Sequence, residues 1–488
     1  GLQDDPAPGL VRRPPGHDLP AQFASLVRRR RRGRRLSHAS HAHRAHGMWL
    51  HPQPDRRLGA LPLAVLRVLP AGVRLSHLAR RGLHAARPPP LRIRRRRGRD
   101  RAADEATYRL LSPLEHVLLR PGMYVGATGR TNEHAWVVDG GTSGGMAWRP
   151  VSYCPALLKI FDEVLVNALD NVSRDPAGTT HIDVSIGAAG LPPTGLPEGA
   201  LRVHNAGRGI PVAKATAAVH GAGVAGTWLP QLVLGELFTG SNFDDGEGRI
   251  VGGRHGFGAK LANIFSDRFE VETADAAAGV RYSQVWRRNM SVVEPPELLP
   301  LPHSAASDYT RVTLLPDYAR LLGEGGAQGG GGQGGCAEGG GAECGGGLDA
   351  DTVALLCRRV HEAAACAHPT ARVSLNGVAL EVDGLRGLMQ RYPASDAAHA
   401  AGGGSALVRL SPRWQLGVAA APGGGGAHVS FVNGVATARG GTHVEHIERQ
   451  LLRGLAARLA AKGEEPLPPA ALRPHLLLFV DGRVEDPE

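Results

Sequence analysis

The stretch ALLKIFDEVLVNALDNVSRDP, residues 156–176, decides the fold that this sequence predicts. Its apolar side chains recur at spacings of three and four, which is typical of a helix with one buried face. The apolar set is Leu157, Leu158, Phe161, Val164, Leu165, Ala168 and Val172. We expect the helix to end at Asp175-Pro176, because a proline after a helix stops it.

The other side of the predicted helix carries a polar stripe. Its members are Glu163, Asn167, Asp170, Asn171 and Arg174. Asparagine is a poor helix former, whereas Lys, Glu and Gln cost less on a solvated face. An amide oxygen suits a hard cation such as Mg²⁺, and a carboxylate one turn earlier can act as a general base on a water. The stripe therefore predicts the wall of a pocket.

Two glycine-rich segments follow. NAGRGIPV (205–212) comes after two predicted strands, HIDVSI (181–186) and LRVHN (201–205), and its glycines permit close backbone approach to a ligand. GGRHGFGAKLANIF (252–265) leaves backbone N–H groups free to surround phosphate oxygens, just before a predicted helix start. Its spacing fits neither a Walker A loop nor a Rossmann fingerprint.

In this order, E-x-x-x-N-A-x-D-N (163–171), NAGRGIP and the glycine-rich loop resemble the ATP-site motifs of the GHKL ATPases. Most members of that family have Asp at the position of Asn205, but the type IIA topoisomerases of eukaryotes have Asn. The resemblance implies an α+β fold, with a GHKL (Bergerat) ATPase α/β sandwich followed by an α+β transducer domain. It also implies ATP and Mg²⁺ as cofactors.

The resemblance implies roles for individual residues. Glu163 is expected to deprotonate the attacking water, and Asn167 to bind the Mg²⁺ of the nucleotide. The residues expected to bind ATP are Asn167, Asn171, Asn205, Ser241, Asn242, Gly253, Arg254, His255, Gly256, Phe257, Gly258, Ala259 and Lys260. Two positions depart from the family pattern, since Gly240 replaces a usual Ser and His255 a usual Asn. Each lost contact costs about 1 kcal/mol, so we expect them to tune ATP affinity without abolishing it.

The resemblance extends beyond the ATP site. LSPLEHVLLRPGMYVGATG (111–129) resembles the start of the eukaryotic ATPase domain, where Tyr108 matches a tyrosine of an arm that reaches into the partner subunit. VSFVNGVATARGGTHVEHIERQL (429–451) resembles the transducer's strand and helix, and LLLFVDGRVEDPE (476–488) the strand before the Gln-x-Lys switch. We expect the chain to stop short of that switch and of the DNA-cleaving machinery.

These matches predict three parts, 1–105, 106–290 and 291–488. The first is rich in Arg, His and Pro, the second is the ATPase domain, and the third is the transducer, with a Gly-rich insertion at 323–347. A Gly/Ala-rich stretch at 421–427 predicts a hairpin loop. Residues 1–101 carry 24 Arg against five Asp, whereas the rest of the chain is mildly acidic. The first part, residues 1–105, is called the leader. It is open to three interpretations: an unstructured or artefactual extension, a basic nucleic-acid-binding tail, or an organelle-targeting peptide.

The five cysteines show no CxxC pair, which indicates neither a disulfide framework nor zinc and fits a reducing compartment. No apolar run approaches the roughly 20 residues that span a bilayer, so we expect a soluble protein without a membrane partner. The family resemblance implies a nuclear location, and an organellar one stays open.

The leading hypothesis is an ATP-operated clamp of a type IIA topoisomerase, of which this chain carries only the ATPase part. ATP binding would join two chains into a homodimer that traps duplex DNA. One alternative is a fragment that binds ATP or DNA without productive turnover. Another is a different GHKL ATPase such as a histidine kinase, but SHASHAHRAHG (37–47) lacks the apolar face of a phosphoacceptor helix.

Overall fold

A computed structural model gives the fold. It describes residues 110–142, 144–237, 239, 250–253, 256–302, 307–323, 347–393, 405–421, 427–463, 467–485 and 487. All of them fall within one compact unit, Arg95–Glu488. The predicted leader 1–105 and nearly all of the Gly-rich insertion lie outside the described residues.

The described elements alternate between helices and strands. The helices are α1 Pro113–Leu119, α2 Pro155–Arg174, α3 Ala217–His220, α4 Leu229–Gly235, α5 Gly258–Ile264, α6 Tyr318–Leu322, α7 Ala350–Ala367, α8 Gly384–Met389, α9 Thr442–Ala461 and α10 Pro469–Leu472. The first strands are β1 Thr131–Asp139, β2 Gly145–Tyr153, β3 His181–Ile186, β4 Leu201–Ala206, β5 Ser266–Asp275, β6 Val280–Arg287, β7 Val292–Val293 and β8 Glu297–Pro300. The later strands are β9 Tyr309–Pro316, β10 Arg372–Leu375, β11 Val378–Ala379, β12 Ser405–Ser411, β13 Trp414–Ala420, β14 Ala427–Val432, β15 Val435–Ala436 and β16 Leu476–Gly482.

A nine-stranded sheet organises the first part of the molecule. Its order is β11-β10-β3-β4-β9-β5-β6-β7, with β8 also paired to β6. The β10–β3 pair is parallel and the other pairs are antiparallel. Helices α2, α5 and α7 pack together beside this sheet, and one apolar core joins them to it. The predicted α+β fold class is therefore confirmed.

The central helix α2 forms where the apolar spacing predicted it. It begins at Pro155, ends at Arg174, and buries six of the seven predicted apolar residues, while Leu158 is half-buried. Two members of the polar stripe, Asp170 and Asn171, are also buried, at 2% and 7% exposure. Burying polar groups costs free energy unless they are hydrogen-bonded, so this face needs partners, which the site supplies.

A second sheet lies at the C-terminal end, in the order β12-β13-β16-β14-β15. The last strand, β16, pairs antiparallel with β13 and parallel with β14. The hairpin predicted at 421–427 is therefore wrong, because β16 separates the two strands that this segment joins. Helix α9 packs on the sheet through Val444, which contacts Leu478 and Val480.

The two sheets divide the chain between Ala379 and Ser405. The domain boundary at 290/291 remains a prediction, and β9, β10 and β11 beyond it belong to the large sheet with β3–β6. Within the described part of the chain, no helix is long and apolar enough to cross a membrane.

Candidate functional site

The polar stripe of α2 faces the glycine-rich loop. A Cβ added at Gly258 would overlap the carboxylate of Glu163, and one added at Gly253 would lie 3.6 Å from Oδ1 of Asn167. A side chain at Gly258 would therefore displace the carboxylate of Glu163 from its present position. The structure thus brings together the polar stripe and the glycine-rich loop, which lie about 90 residues apart in the sequence.

Asp170 anchors the loop to the helix. Its Oδ1 accepts the N–H of Gly252 at 2.6 Å and its Oδ2 accepts that of Gly253 at 2.9 Å. Burial raises the pKa of Asp170 to about 6, although these two hydrogen bonds oppose the shift. The loop is therefore held by a buried carboxylate that titrates just below neutral pH.

Glu163 is the other carboxylate of the stripe. Its Oε1 forms an ion pair with Nζ of Lys159 at 2.5 Å, one helical turn earlier, and its side chain is 19% exposed. The carboxylate thus lies at the edge of the loop, where it can accept a proton from a water molecule. Asn167, one turn later, is half-buried and directs an amide oxygen toward the same loop.

Asn171 and Asn205 are more deeply buried than Glu163 and Asn167. Nδ2 of Asn171 donates to Oγ1 of Thr179 at 3.0 Å and to the carbonyl of Ala206 at 3.4 Å. Asn205 is buried on β4 and donates from its own Nδ2 to that same carbonyl at 3.0 Å. The two predicted nucleotide contacts therefore meet at the start of the NAGRGIP turn.

Asp175 secures that turn from the end of α2. Its Oδ1 accepts the N–H of Gly178 at 3.0 Å, and its Oδ2 accepts the N–H of Arg208 at 2.8 Å. The residue that ends the helix thus also fixes the position of the turn after β4. The sequence offered Asp175 only as a helix terminator.

Lys260, at the start of α5, is buried at 3% exposure. Its Nζ donates to the backbone carbonyl of Thr239, and burial lowers its pKa to about 8. Thr239 directly precedes the segment in which two phosphate contacts are predicted. Lys260 therefore holds Thr239 beside the start of α5.

Phe257 lies next to a cavity of about 320 Å³. Its ring is 6.3 Å from that of Tyr124, centroid to centroid. The cavity is lined by Leu111, Pro113, His116, Val117, Tyr124, Leu237 and Phe257. Gly256, with φ of +65°, and the buried Ala259 complete the described part of the loop.

The second sheet contacts the loop from the far side. A Cβ added at Gly252 would lie 2.7 Å from Val166 on α2 and 2.7 Å from Val435 on β15. Arg359 of α7 donates from Nε to Oδ1 of Asp162 at 2.6 Å and from an Nη to the carbonyl of Gly434 at 2.6 Å. The loop is therefore packed between the central helix and the turn that joins β14 to β15.

Several predicted site residues fall outside the described part of the chain. They are Ser241, Asn242, Arg254 and His255, together with Tyr108 and Gly240. Their assignments remain predictions.

Besides the role of Asp175, sequence reasoning missed three residues that organise this site. They are Asp170 as the loop anchor, Arg359, and Asn433, whose Nδ2 donates to the carbonyl of Val251 just before the loop at 3.2 Å. Asp170 belonged to the polar stripe, so its spacing was a usable signal. No local signal marks the other two, because their partners come from distant segments.

Comparison with known proteins places these features in context. The family model described as DNA gyrase B matches residues 411–488. The chain is 35% identical over 388 residues to the DNA topoisomerase 2 of Penicillium chrysogenum, covering 78% of this chain and 22% of that protein. It is 33% identical over 395 residues to the mouse DNA topoisomerase 2-alpha, covering 80% and 23%. The chain therefore spans between a fifth and a quarter of the length of these curated relatives.

Two solved structures match over most of their length. The ATPase region of Saccharomyces cerevisiae topoisomerase II is 31% identical, with a TM-score of 0.65, and covers 79% of this chain and 88% of that one. The ATPase and transducer domains of DNA topoisomerase II from Balamuthia mandrillaris are 37% identical, with a TM-score of 0.64, and cover 78% and 86%. The similarity thus extends across both sheets.

Proposed function

We propose, from the premise that this chain belongs to the type II DNA topoisomerase family and corresponds to its ATPase region, that the chain binds and hydrolyses ATP. The observation that carries the proposal is the contact between the polar stripe of α2 and the glycine-rich loop. This contact places a carboxylate and an amide against a loop of closely approaching glycines.

Glu163 is the general base in this proposal. It accepts the proton of a water that attacks the γ-phosphate, while loop N–H groups between Gly253 and Gly258 and the ammonium of Lys260 bind the phosphate oxygens. The N–H of Gly253 itself is bonded to Asp170 and holds the loop in place. Asn205 and Asn171, which meet at the carbonyl of Ala206, would recognise the adenine end. Ser241, Asn242, Arg254 and His255 are proposed to complete the ribose and phosphate contacts.

The donor atoms fit a nucleotide-bound Mg²⁺. Asn167 directs an amide oxygen and Glu163 a carboxylate toward the loop, and Mg²⁺ prefers oxygen ligands. We propose that Asn167 holds the ion, which would neutralise phosphate charge when bound. Asn167 would hold that ion through its amide oxygen, which faces the loop.

In the whole enzyme, we propose that this region is the ATP-operated gate of a homodimer that captures duplex DNA for strand passage, in the nucleus. The relatives named DNA topoisomerase 2 support this role. So do the contacts between the glycine-rich loop and the second sheet, since they give the loop a physical link to the rest of the fold.

The substitution Glu163→Gln tests the proposal. It should leave nucleotide affinity within a few-fold of the original and lower the rate of hydrolysis by about 10²–10⁴-fold, because Gln cannot accept the proton. Glu270→Gln, which removes an ion pair with Arg268 on the sheet, is the matched control and should hydrolyse ATP normally. Undiminished hydrolysis in Glu163→Gln would refute the assignment.

A second measurement separates a working gate from an inert fragment. Duplex DNA should raise the ATPase rate of the chain, and a non-hydrolysable ATP analogue should shift it from monomer to dimer in sedimentation. A chain that shows neither response binds nucleotide without acting as a gate.

A further inference from the structure

The reverse face of the large sheet carries a cluster of His181, Asp183 and His204. The first two lie two residues apart on β3 and therefore share one face, and His204 on β4 is the direct cross-strand partner of Asp183. We propose that these three side chains form a binding site for a divalent first-row transition ion, for which Zn²⁺ is the best match.

The distances between the ligand atoms fit such an ion. Nδ1 of His204 lies 3.2 Å from Oδ2 of Asp183, and Nε2 of His181 lies 3.7 Å from the same oxygen. All three ligand atoms lie within 4.8 Å of one another. Tetrahedral Zn²⁺ binds such atoms at about 2.0–2.2 Å, which separates neighbouring ligand atoms by roughly 3.4 Å. Small side-chain rotations would therefore bring the three ligand atoms to the spacing of a tetrahedral site.

Outer hydrogen bonds already orient two of the ligands. Oγ of Ser374 donates to Oδ1 of Asp183 at 2.6 Å, which leaves Oδ2 directed at the histidines. Nδ1 of His181 lies 3.1 Å from Oγ1 of Thr180, which leaves Nε2 toward the cluster. Partners of this kind fix the ring orientation and tautomer of metal-binding histidines.

The ring of His204 is held by packing. It meets Tyr309 of β9 edge-on, with centroids 5.3 Å apart. Arg311, the direct cross-strand partner of His204, pairs with Glu272 at 2.8 Å. The carboxylate of Asp183 pairs with the two histidines.

The ligand chemistry favours a transition ion. Two imidazoles and one carboxylate suit Zn²⁺ and its neighbours, whereas Mg²⁺ and Ca²⁺ prefer all-oxygen sites. The side chains of His181 and Asp183 are 46% and 43% exposed, so an ion can enter and a water can complete its coordination. Among the residues that the structure describes, these three form the one cluster of this kind.

The cysteine pattern of the sequence gives no indication of zinc, but this cluster uses no cysteine. The cluster lies next to the candidate ATP site along strand β4. His204 and Asn205 are consecutive on β4 and therefore point to opposite faces of the sheet. An ion that clamps β3 to β4 would stiffen the strand that carries Asn205.

Hydrogen–deuterium exchange of the full chain with stoichiometric Zn²⁺ tests the proposal. Because exchange is read peptide by peptide, zinc bound to histidines elsewhere does not obscure the result. Zn²⁺ should slow exchange in residues 181–186 and 201–206 by about tenfold or more, and EDTA should reverse the effect. His204→Gln should abolish the slowing, while His475→Gln, at an exposed histidine outside the cluster, should retain it.

Ser374→Ala keeps all three ligands and removes only the hydrogen bond to Asp183. It should weaken Zn²⁺ affinity by about 10–100-fold, the usual effect of losing an outer-shell partner. The proposal is overturned if Zn²⁺ leaves exchange in these two strands unchanged in the original chain, or slows it equally in Ser374→Ala and His204→Gln. The Ser374→Ala result decides the matter if His204→Gln does not fold.

Discussion

Asn433, in the turn between β14 and β15, donates from Nδ2 to the backbone carbonyl of Val251 at 3.2 Å, directly before the glycine-rich loop. The same amide nitrogen donates to the carbonyl of Val484 at 2.9 Å, and Oδ1 accepts the N–H of Val484 at 2.8 Å. One buried side chain thus joins the turn, the segment after β16 and the loop. The residue before the glycine-rich loop is therefore tied to the second sheet by hydrogen bonds through Asn433.

Asn433→Gly should change nucleotide affinity as well as stability. Glycine accepts the positive φ of 52° but loses three hydrogen bonds, which together cost about 2–3 kcal/mol of unfolding free energy. Because one of these bonds reaches the loop, nucleotide affinity should also fall by several-fold. Denaturant titration and nucleotide titration measure the two effects.

Asn376→Gly is the matched control for that variant. Asn376 also has a positive φ, 49°, in an Asn-Gly turn, and its side chain makes three hydrogen bonds, to Ile186 and Pro192. This variant should lose similar stability and keep its nucleotide affinity. Equal effects on affinity in both variants would contradict the coupling through Asn433.

Asp170→Asn should reveal the titration of the loop anchor. With a pKa raised from 3.8 to about 6, the folded protein retains a proton between these pH values that the unfolded chain has lost. The original chain should therefore lose stability relative to Asp170→Asn as pH rises from 3.8 to 6, by on the order of 3 kcal/mol. Above pH 6 the difference should be constant. A difference that does not vary with pH would contradict the burial of this charge.

The same variant should loosen the glycine-rich loop. An Asn side chain offers one acceptor oxygen where Asp170 offers two, so one of its two hydrogen bonds to Gly252 and Gly253 is lost. Amide exchange at these two glycines should accelerate at neutral pH. Unchanged exchange rates at both positions would show that other contacts hold the loop.

Arg359→Met should destabilise the protein strongly. Arg359 is 7% exposed, and its loss leaves Asp162 with an unpaired charge and the carbonyl of Gly434 without this donor. Breaking a buried ion pair from one side costs about 3–5 kcal/mol. Arg320→Met, which removes an exposed pair with Asp317, should cost less than about 1 kcal/mol. Similar losses in thermal unfolding for both variants would argue against a buried pair.

Lys260 should make nucleotide binding dependent on pH. Since burial lowers its pKa to about 8, the ammonium is charged below that pH and neutral above it. ATP affinity should therefore fall as pH rises through 8, because the neutral amine attracts phosphate less. Lys260→Arg keeps its charge throughout this range and should give a flatter profile. Identical profiles for the two proteins would remove Lys260 from the phosphate contacts.

The sequence alone was sufficient to predict the elements that rest on local patterns. Helix α2 follows from apolar residues at spacings of three and four and from Pro176, and β3 and β4 from short runs that alternate in burial. The polar stripe also marked a functional face, since Asn167 and Asn171 are costly on a solvated helix. These features depend on neighbours within a few residues, so the chain specifies them directly.

The pairing of distant segments could not be obtained in this way. The hairpin predicted at 421–427 failed because β16, which comes from the end of the chain, inserts between β13 and β14. The cluster of His181, Asp183 and His204 depends on the register of β3 with β4. A shift by one residue would send each side chain to the opposite face.

Local periodicity therefore determined which residues of this protein form the central helix and which side of it is polar. Only the tertiary structure decided that Asp170 meets the glycine-rich loop, that Arg359 spans from Asp162 to Gly434, and that Asn433 reaches Val251. The physical reason is that hydrogen bonds and ion pairs form between any compatible groups that packing brings within about 3 Å. Burial then selects those partners, because a buried polar group left without one costs about 1–3 kcal/mol.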